Sequence, residues 1–162
     1  MTLALGDALA VAMMDARAFG PADFHAFHPR GQLGARLVRV TDIMHRAEKL
    51  PLVQTGTPMS EALLIMTKQG FGIAGVVDTQ ARLAGVITDG DLRRNMEGLL
   101  QRKAADVMTE NPVTIPSRAL ATEALGLMNS HKITSVFVTD TAQDRTPVGI
   151  LHLHDCLRAG VA

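Results

Sequence analysis

The residues best suited to chemistry in this 162-residue chain stand at two corners where an apolar run turns polar. The first, residues 85–91, reads Gly-Val-Ile-Thr-Asp-Gly-Asp, so the hydroxyl of Thr88 precedes the carboxylate of Asp91 by three positions. That spacing serves a helix capping box: the hydroxyl accepts from the N–H three residues on, and the carboxylate reaches back to the threonine N–H. It equally serves a ligand. A helix N-terminus offers unpaired N–H groups to an anion, and a carboxylate accepts from sugar hydroxyls. Both readings stand on these residues alone.

The second corner, residues 149–155, reads Gly-Ile-Leu-His-Leu-His-Asp. His152 takes the place of the threonine, and His154 precedes Asp155. Histidine caps a helix less well than threonine, which points to hydrogen bonding with a sugar, carboxylate or phosphate, or to packing. His152, His154, Asp155 and Cys156 also invite a metal reading. On a strand, however, His152 and His154 share a face while their neighbours point away, and a second ligand cluster is lacking, so no metal is expected.

Two such corners need two units to position them, and from Thr41 onward the sequence repeats. Asp42-Ile43-Met44 returns as Asp106-Val107-Met108, and Gly85, Asp91 and Arg94 return as Gly149, Asp155 and Arg158, all at an offset of 64. Between them Glu61-Ala62-Leu63 and Met66 return as Glu123-Ala124-Leu125 and Met128 at an offset of 62, so loops absorb the difference. Each unit predicts a brief strand (50–53; 113–115), a helix (58–69; 119–130), two nearly continuous apolar strands (73–77 and 83–87; 135–139 and 148–151) and a closing helix (90–100; 155–160). The fold class is therefore α/β in composition, or more strictly α+β: two β-α-β-β-α repeats about a pseudo-twofold. One unit of this size is marginal alone, and two can bury their faces together.

Residues 3–17 read as a helix apolar on nearly every side, which belongs in the interior of a larger body. Gly20 and Pro21 predict a stop and a short new helix carrying Asp23, Phe24 and Phe27. The sequence is thus expected to begin inside a preceding domain. Sixteen basic residues balance sixteen acidic ones, and aromatics are 3% with no Trp or Tyr, which argues against nucleic-acid binding and against a base-stacking platform. No run is long enough to span a bilayer, and the single cysteine suits a cytoplasmic setting.

The duplicated layout, with its paired Asp-x-Met openings and Gly-Val-Ile-Thr-Asp-Gly-Asp, resembles a tandem pair of cystathionine-β-synthase (CBS) domains, the Bateman module. The resemblance implies a disc whose clefts take adenine nucleotides or related ligands, and discs that pair as a homodimer within a homo-oligomer. In such pairs the segment His131-Lys132-Ile133-Thr134-Ser135 borders a cleft. Lys132 then meets a phosphate or carboxylate while Thr134 donates a hydrogen bond; the plain alternative is a lysine favoured at a helix end by the dipole. The matching stretch 70–74, Gly-Phe-Gly-Ile-Ala, is without polar side chains, so the two clefts are expected to be unequal.

The segment before Val40 is similar to the tail of a sugar-isomerase (SIS) domain, on Gly6-Asp7-Ala8-Leu9, Asp23-Phe24, His28-Pro29 and Gly31-Gln32-Leu33-Gly34. Together the parts resemble D-arabinose 5-phosphate isomerases, which interconvert ribulose 5-phosphate and arabinose 5-phosphate for Kdo (3-deoxy-D-manno-octulosonate) and lipopolysaccharide synthesis. The resemblance implies three stretches: 1–39 as SIS tail, 40–100 and 101–162 as CBS domains. It makes His28 an acid/base candidate, although Arg30 stands where that family usually has glycine. No cofactor is required, and no turnover is expected from these residues alone. The expected function is regulatory: sensing a nucleotide or nucleotide-sugar such as CMP-Kdo or an adenine nucleotide, with ligand contacts from Thr88, Asp91, Lys132, Thr134, His152, His154 and Asp155. The alternative is a purely structural oligomerisation module.

Overall fold

The computed structural model describes residues 2–17, 37–141, 143 and 145–161. In chain order the elements are α1 (Thr2–Ala16), α2 (Val40–Ile43), β1 (Leu52–Gln54), α3 (Met59–Gln69), β2 (Ile73–Val77), β3 (Leu83–Thr88), α4 (Asp89–Arg94), α5 (Ala104–Val107), β4 (Thr109–Glu110), β5 (Thr114–Pro116), α6 (Ala121–His131), β6 (Ser135–Thr139), β7 (Pro147–His152) and α7 (Leu153–Arg158). Helix α1 forms as its composition predicts, and its side chains from Leu5 to Met14 lie exposed rather than buried. The short helix expected around Asp23, Phe24 and Phe27, and His28 after it, lie outside the described residues.

Each repeat builds a small mixed sheet. In the first, β1 pairs parallel with β2, β2 antiparallel with β3, and β3 antiparallel with β4. In the second, β5 pairs parallel with β6 and β6 antiparallel with β7. The same register slip recurs at corresponding positions, between Val76 and Val77 and between Val138 and Thr139. Strands β2 and β6 are nearly all buried because α3 and α6 lay their apolar stripes on them: Met59, Ala62 and Met66 in one repeat, Ala121, Ala124 and Met128 in the other.

The opening segments cross over. Ala104 and Val107 of α5 enter the first repeat's core beside Val53, Ala74 and Ile87, while Val40 of α2 enters the second repeat's core beside Ile115, Val136 and Leu151. Backbone bonds follow the same exchange. Thr109 pairs with Val86, and His45 pairs with Ile150 in the corresponding position. A third apolar cluster, Ile73, Leu83, Phe137 and Ile150, joins the two sheets. The exchange lets two marginal units share one stable body.

Most element boundaries lie within two residues of the sequence reading, and the two closing helices differ in ways that bear on the corners. The closing helix of the first repeat ends at Arg94 and resumes only as a turn of 3-10 helix at Leu99–Gln101. Asn95 causes the break: its side-chain amide donates to the Asp91 carbonyl at 2.9 Å, which its own backbone N–H also uses, and Gly98 follows in the left-handed region. In the second repeat the closing helix starts at Leu153, not at Asp155. His154 therefore sits in the first turn of α7 rather than on a strand face.

Candidate ligand-binding cleft

Between the repeats lies a cleft of about 510 Å³. The first repeat supplies residues 71–73, Val86 and, from the corner, residues 88–91 with Arg93 and Arg94; the second supplies Thr109 and residues 111–113, 132–135 and Phe137. Four sequence candidates meet in it: Thr88, Asp91, Lys132 and Thr134. The floor is apolar, from Ile73, Val86 and Phe137, and the polar groups stand around it, the usual arrangement of a small-molecule site.

The Thr88 corner is a complete capping box. The Thr88 N–H donates to Asp91 Oδ2 at 2.8 Å, the Thr88 hydroxyl donates to the same oxygen at 2.6 Å, and the Asp91 N–H reaches the threonine oxygen at 3.4 Å. The other carboxylate oxygen accepts from Thr109 Oγ1 at 2.7 Å and from Arg94 Nη2 at 2.6 Å. Asp91 is only 3% exposed. Burial alone would raise its pKa, but the bonds from Thr88, Thr109 and Arg94 outweigh it and hold the carboxyl below its ordinary 3.8. All the acceptor capacity of Asp91 is thus in use, and a ligand hydroxyl would reach it by displacing the mostly exposed Arg94 side chain.

The second corner repeats this plan with imidazoles. The His152 N–H donates to Asp155 Oδ2 at 3.0 Å, and His152 Nδ1 accepts from the His154 N–H at 3.1 Å. The two rings stack with centroids 5.0 Å apart. Asp155 also bonds Arg158, and His45 Nε2 lies 3.1 Å from both carboxylate oxygens. Burial opposes ionisation of Asp155, while the His152 backbone, His45 and Arg158 hold its pKa below 3.8. His152 itself is pushed below 6.5, first by burial and then by the charge of His154, against the attraction of Asp155. His152, His154 and Asp155 are therefore gathered with one another and apart from the cleft that holds Thr88 and Lys132. Among the described residues no group of His, Cys, Asp and Glu has metal-site geometry.

Two partners in these corners escaped the sequence reading. Thr109 and His45 each reach across from an opening segment to the other repeat's aspartate. The signal was present: each directly follows an Asp-x-Met motif, at the repeat offset of 64. Asp89, also on the cleft wall, carries no such mark, since one exposed charge on a short helix looks like any other.

Known proteins share this plan. A CBS-domain profile matches residues 40–98 and again 104–162. The chain is 48% identical over 165 residues to arabinose 5-phosphate isomerase KdsD of Pseudomonas aeruginosa, covering 99% of this chain and 50% of that protein. Against KdsD of Escherichia coli K12 the identity is 44% over 164 residues, covering 99% and 49%. The chain spans about half the length of the curated relatives it matches. Among solved structures, CBSX2 in complex with AMP is similar at TM-score 0.65 and 24% identity, covering 76% of this chain and 96% of that one. The CBS domain pair of protein MJ0100, in complex with 5-methylthioadenosine and S-adenosyl-L-methionine, is similar at TM-score 0.66 and 24% identity, covering 75% and 94%. At that identity the likeness speaks for the fold. No helix among the described residues is long and apolar enough to cross a membrane.

Proposed function

The chain belongs to the CBS-domain family as a tandem pair, and from that premise we propose that it is the regulatory, ligand-sensing part of a protein like the arabinose 5-phosphate isomerases it resembles. The parent activity would interconvert ribulose 5-phosphate and arabinose 5-phosphate on the way to Kdo, with residues 1–39 the end of the isomerase domain and His28 its acid/base group. The ligand is a nucleotide or nucleotide-sugar. CMP-Kdo, the activated product of that pathway, is the physiological choice because flux control belongs at the first step; AMP and ATP are the generic competitors.

The observation that carries this reading is the cleft of about 510 Å³, with an apolar floor for a base and polar groups from both repeats around it. Thr88 and Asp91 face the sugar, Lys132 and Thr134 the charged end. His152, His154 and Asp155 form the unequal second subsite. Binding between the repeats would draw them together, and pairs of such discs would associate as homodimers.

A second reading, a structural module without ligand, draws on the complete internal pairing of Asp91. A thermal-shift and calorimetric panel of AMP, ATP, CMP and CMP-Kdo separates the two. A ligand at 100 times its Kd adds about 2.7 kcal/mol of stability. No shift with any of the four at millimolar concentration leaves the structural reading standing.

A further inference from the structure

We infer that Arg145 is a positioning residue for the cleft: its bond to Asn111 fixes the wall formed by residues 111–113 and so sets affinity for a ligand that Arg145 does not touch. This rests on the ligand reading above and adds to it how the wall is held.

Residues 111–113 connect β4 to β5 and form one wall of the cleft. They belong to neither strand, so no sheet ladder holds them. Asn111 also borders a second cavity, of about 430 Å³, together with Asp78, Arg82 and Arg145. Among the described residues Asn111 alone lines both. From the second cavity Arg145 Nη2 donates to Asn111 Oδ1 at 3.0 Å. Arg145 is itself anchored at its backbone, where its carbonyl accepts from the Leu83 N–H at 2.8 Å. A residue just before β7 thus ties the start of β3 to the loop that bounds the cleft.

The turn at Asn111 does not itself call for this side chain. Asn111 has φ +50°, and Ala47, its match in the other repeat at the offset of 64, takes φ +49° without a polar side chain. What the asparagine adds is an acceptor. The match for Arg145 is Ala81, two residues before β3 as Arg145 is two before β7. Pro147, which has no N–H, stands where Leu83 supplies one. Side-chain and backbone halves of the tie are therefore both present beside this cleft, and neither can form at the matching place. Arg82 offers no substitute, because its Nε is engaged by Asp78 at 3.3 Å.

An exposed bond of this kind adds little to global stability, since the unfolded chain makes it to water instead. Its leverage is on the loop. Without it the wall samples positions that do not fit a ligand, and apparent affinity falls with the fraction of chains whose wall is in place. Beyond Asn111 the wall is Pro112 and Val113, so it meets the base of a nucleotide rather than the charged end. A loss through Arg145 should accordingly fall equally on nucleotide and nucleoside.

The test is calorimetric titration of the full chain with CMP, cytidine, AMP and adenosine, on wild type, N111A, R145A, the double variant and R145K. N111A installs the residue that Ala47 shows to fit the turn, and R145A keeps the carbonyl that pairs with Leu83, so melting temperatures should stay near that of wild type. Each single variant should bind about threefold to tenfold more weakly, the contribution of one hydrogen bond, by the same factor for nucleoside and nucleotide. The double variant should lose no more than either single one. R145K, which can still donate to Asn111, should recover most of the loss, and R82A, which removes a charge from the same cavity, should change nothing. Unchanged affinity in N111A overturns the proposal, as do additive losses in the double variant. So does a loss confined to the nucleotides, which would make Arg145 a distant charge felt by the phosphate. If none of the four binds wild type, the ligand reading itself falls and takes this role with it.

Discussion

Met108 fills the space that a side chain on Gly85 would need: a Cβ built there would lie 2.7 Å from the Met108 Sδ and 2.8 Å from the Thr109 carbonyl oxygen. The relationship recurs in the other repeat, where a Cβ on Gly149 would lie 2.5 Å from the Met44 Sδ and 3.1 Å from the His45 carbonyl. The methionine of each Asp-x-Met opening therefore packs on the strand glycine of the opposite repeat. Two motifs that look independent along the chain are the two halves of one contact, and that contact holds the crossover in place.

Gly85→Ala should therefore destabilise the protein by about 1–3 kcal/mol, the cost of forcing extra atoms into a filled site. M108A in the same chain should recover only part of that loss, because the Thr109 backbone oxygen stays where it is. Urea unfolding of the two single variants and the double gives the coupling directly. Fully additive losses would show that the methionine and the glycine do not meet.

Asp91→Ala removes the acceptor of bonds from Thr88, Thr109 and Arg94 and half of a capping box. The expected loss is about 1–2 kcal/mol, a lost cap plus the part-buried Thr88 and Thr109 hydroxyls left without their acceptor. Affinity for a ribose-bearing nucleotide, measured below the melting transition, should fall as well, because the corner that faces the sugar is no longer fixed. A stability loss with unchanged affinity would make Asp91 a cap and nothing more.

Cys156 is fully buried in the second repeat's core, and burial pushes its thiol up to about 11. At pH 8 it is both protonated and shielded, so a disulfide-exchange reagent should label it slowly in the native state and at once in denaturant. The slow rate should track opening of the second repeat. Rapid labelling of the native protein would mean that this core is not closed.

Much of the fold was readable from spacing, because the apolar stripe Met59, Ala62, Met66 and its copy Ala121, Ala124, Met128 have to be buried somewhere and recur at a fixed offset. The exchange of opening segments was not. Val40 and Ala104 are apolar in either arrangement, and no local pattern says which repeat's core receives them. The site was readable in part for the same reason. Thr88 and Asp91 interact at a sequence separation of three, which spacing alone specifies. Thr109 and His45 reach their aspartates over separations of 18 and 110, which only the crossover creates. The left-handed backbone of Lys132 is likewise a property of where α6 must stop to feed β6, not of the lysine.

The histidine at the second corner predicts a particular pH dependence. His152 is held below its ordinary 6.5 in the folded chain, so the folded state favours the neutral ring. Above that value both states are neutral and pH has no leverage through this group. Below it the unfolded chain takes up the proton first, and stability is lost as the pH falls. The charged groups around the ring are His154, Asp155, Arg158 and His45, and only Asp155 favours protonation. Asp91 and Asp155 act in the same direction at lower pH: their folded values lie below 3.8, so the stability they supply is present above that value and is lost as the pH falls through their folded values. Wild type should therefore lose urea resistance between about pH 7 and about pH 5, before any carboxylate titrates. H152T, which copies the Thr88 corner, should keep the fold and flatten that part of the curve while leaving the carboxylate limb intact. An unchanged slope in H152T would move the origin of the acid sensitivity away from this corner.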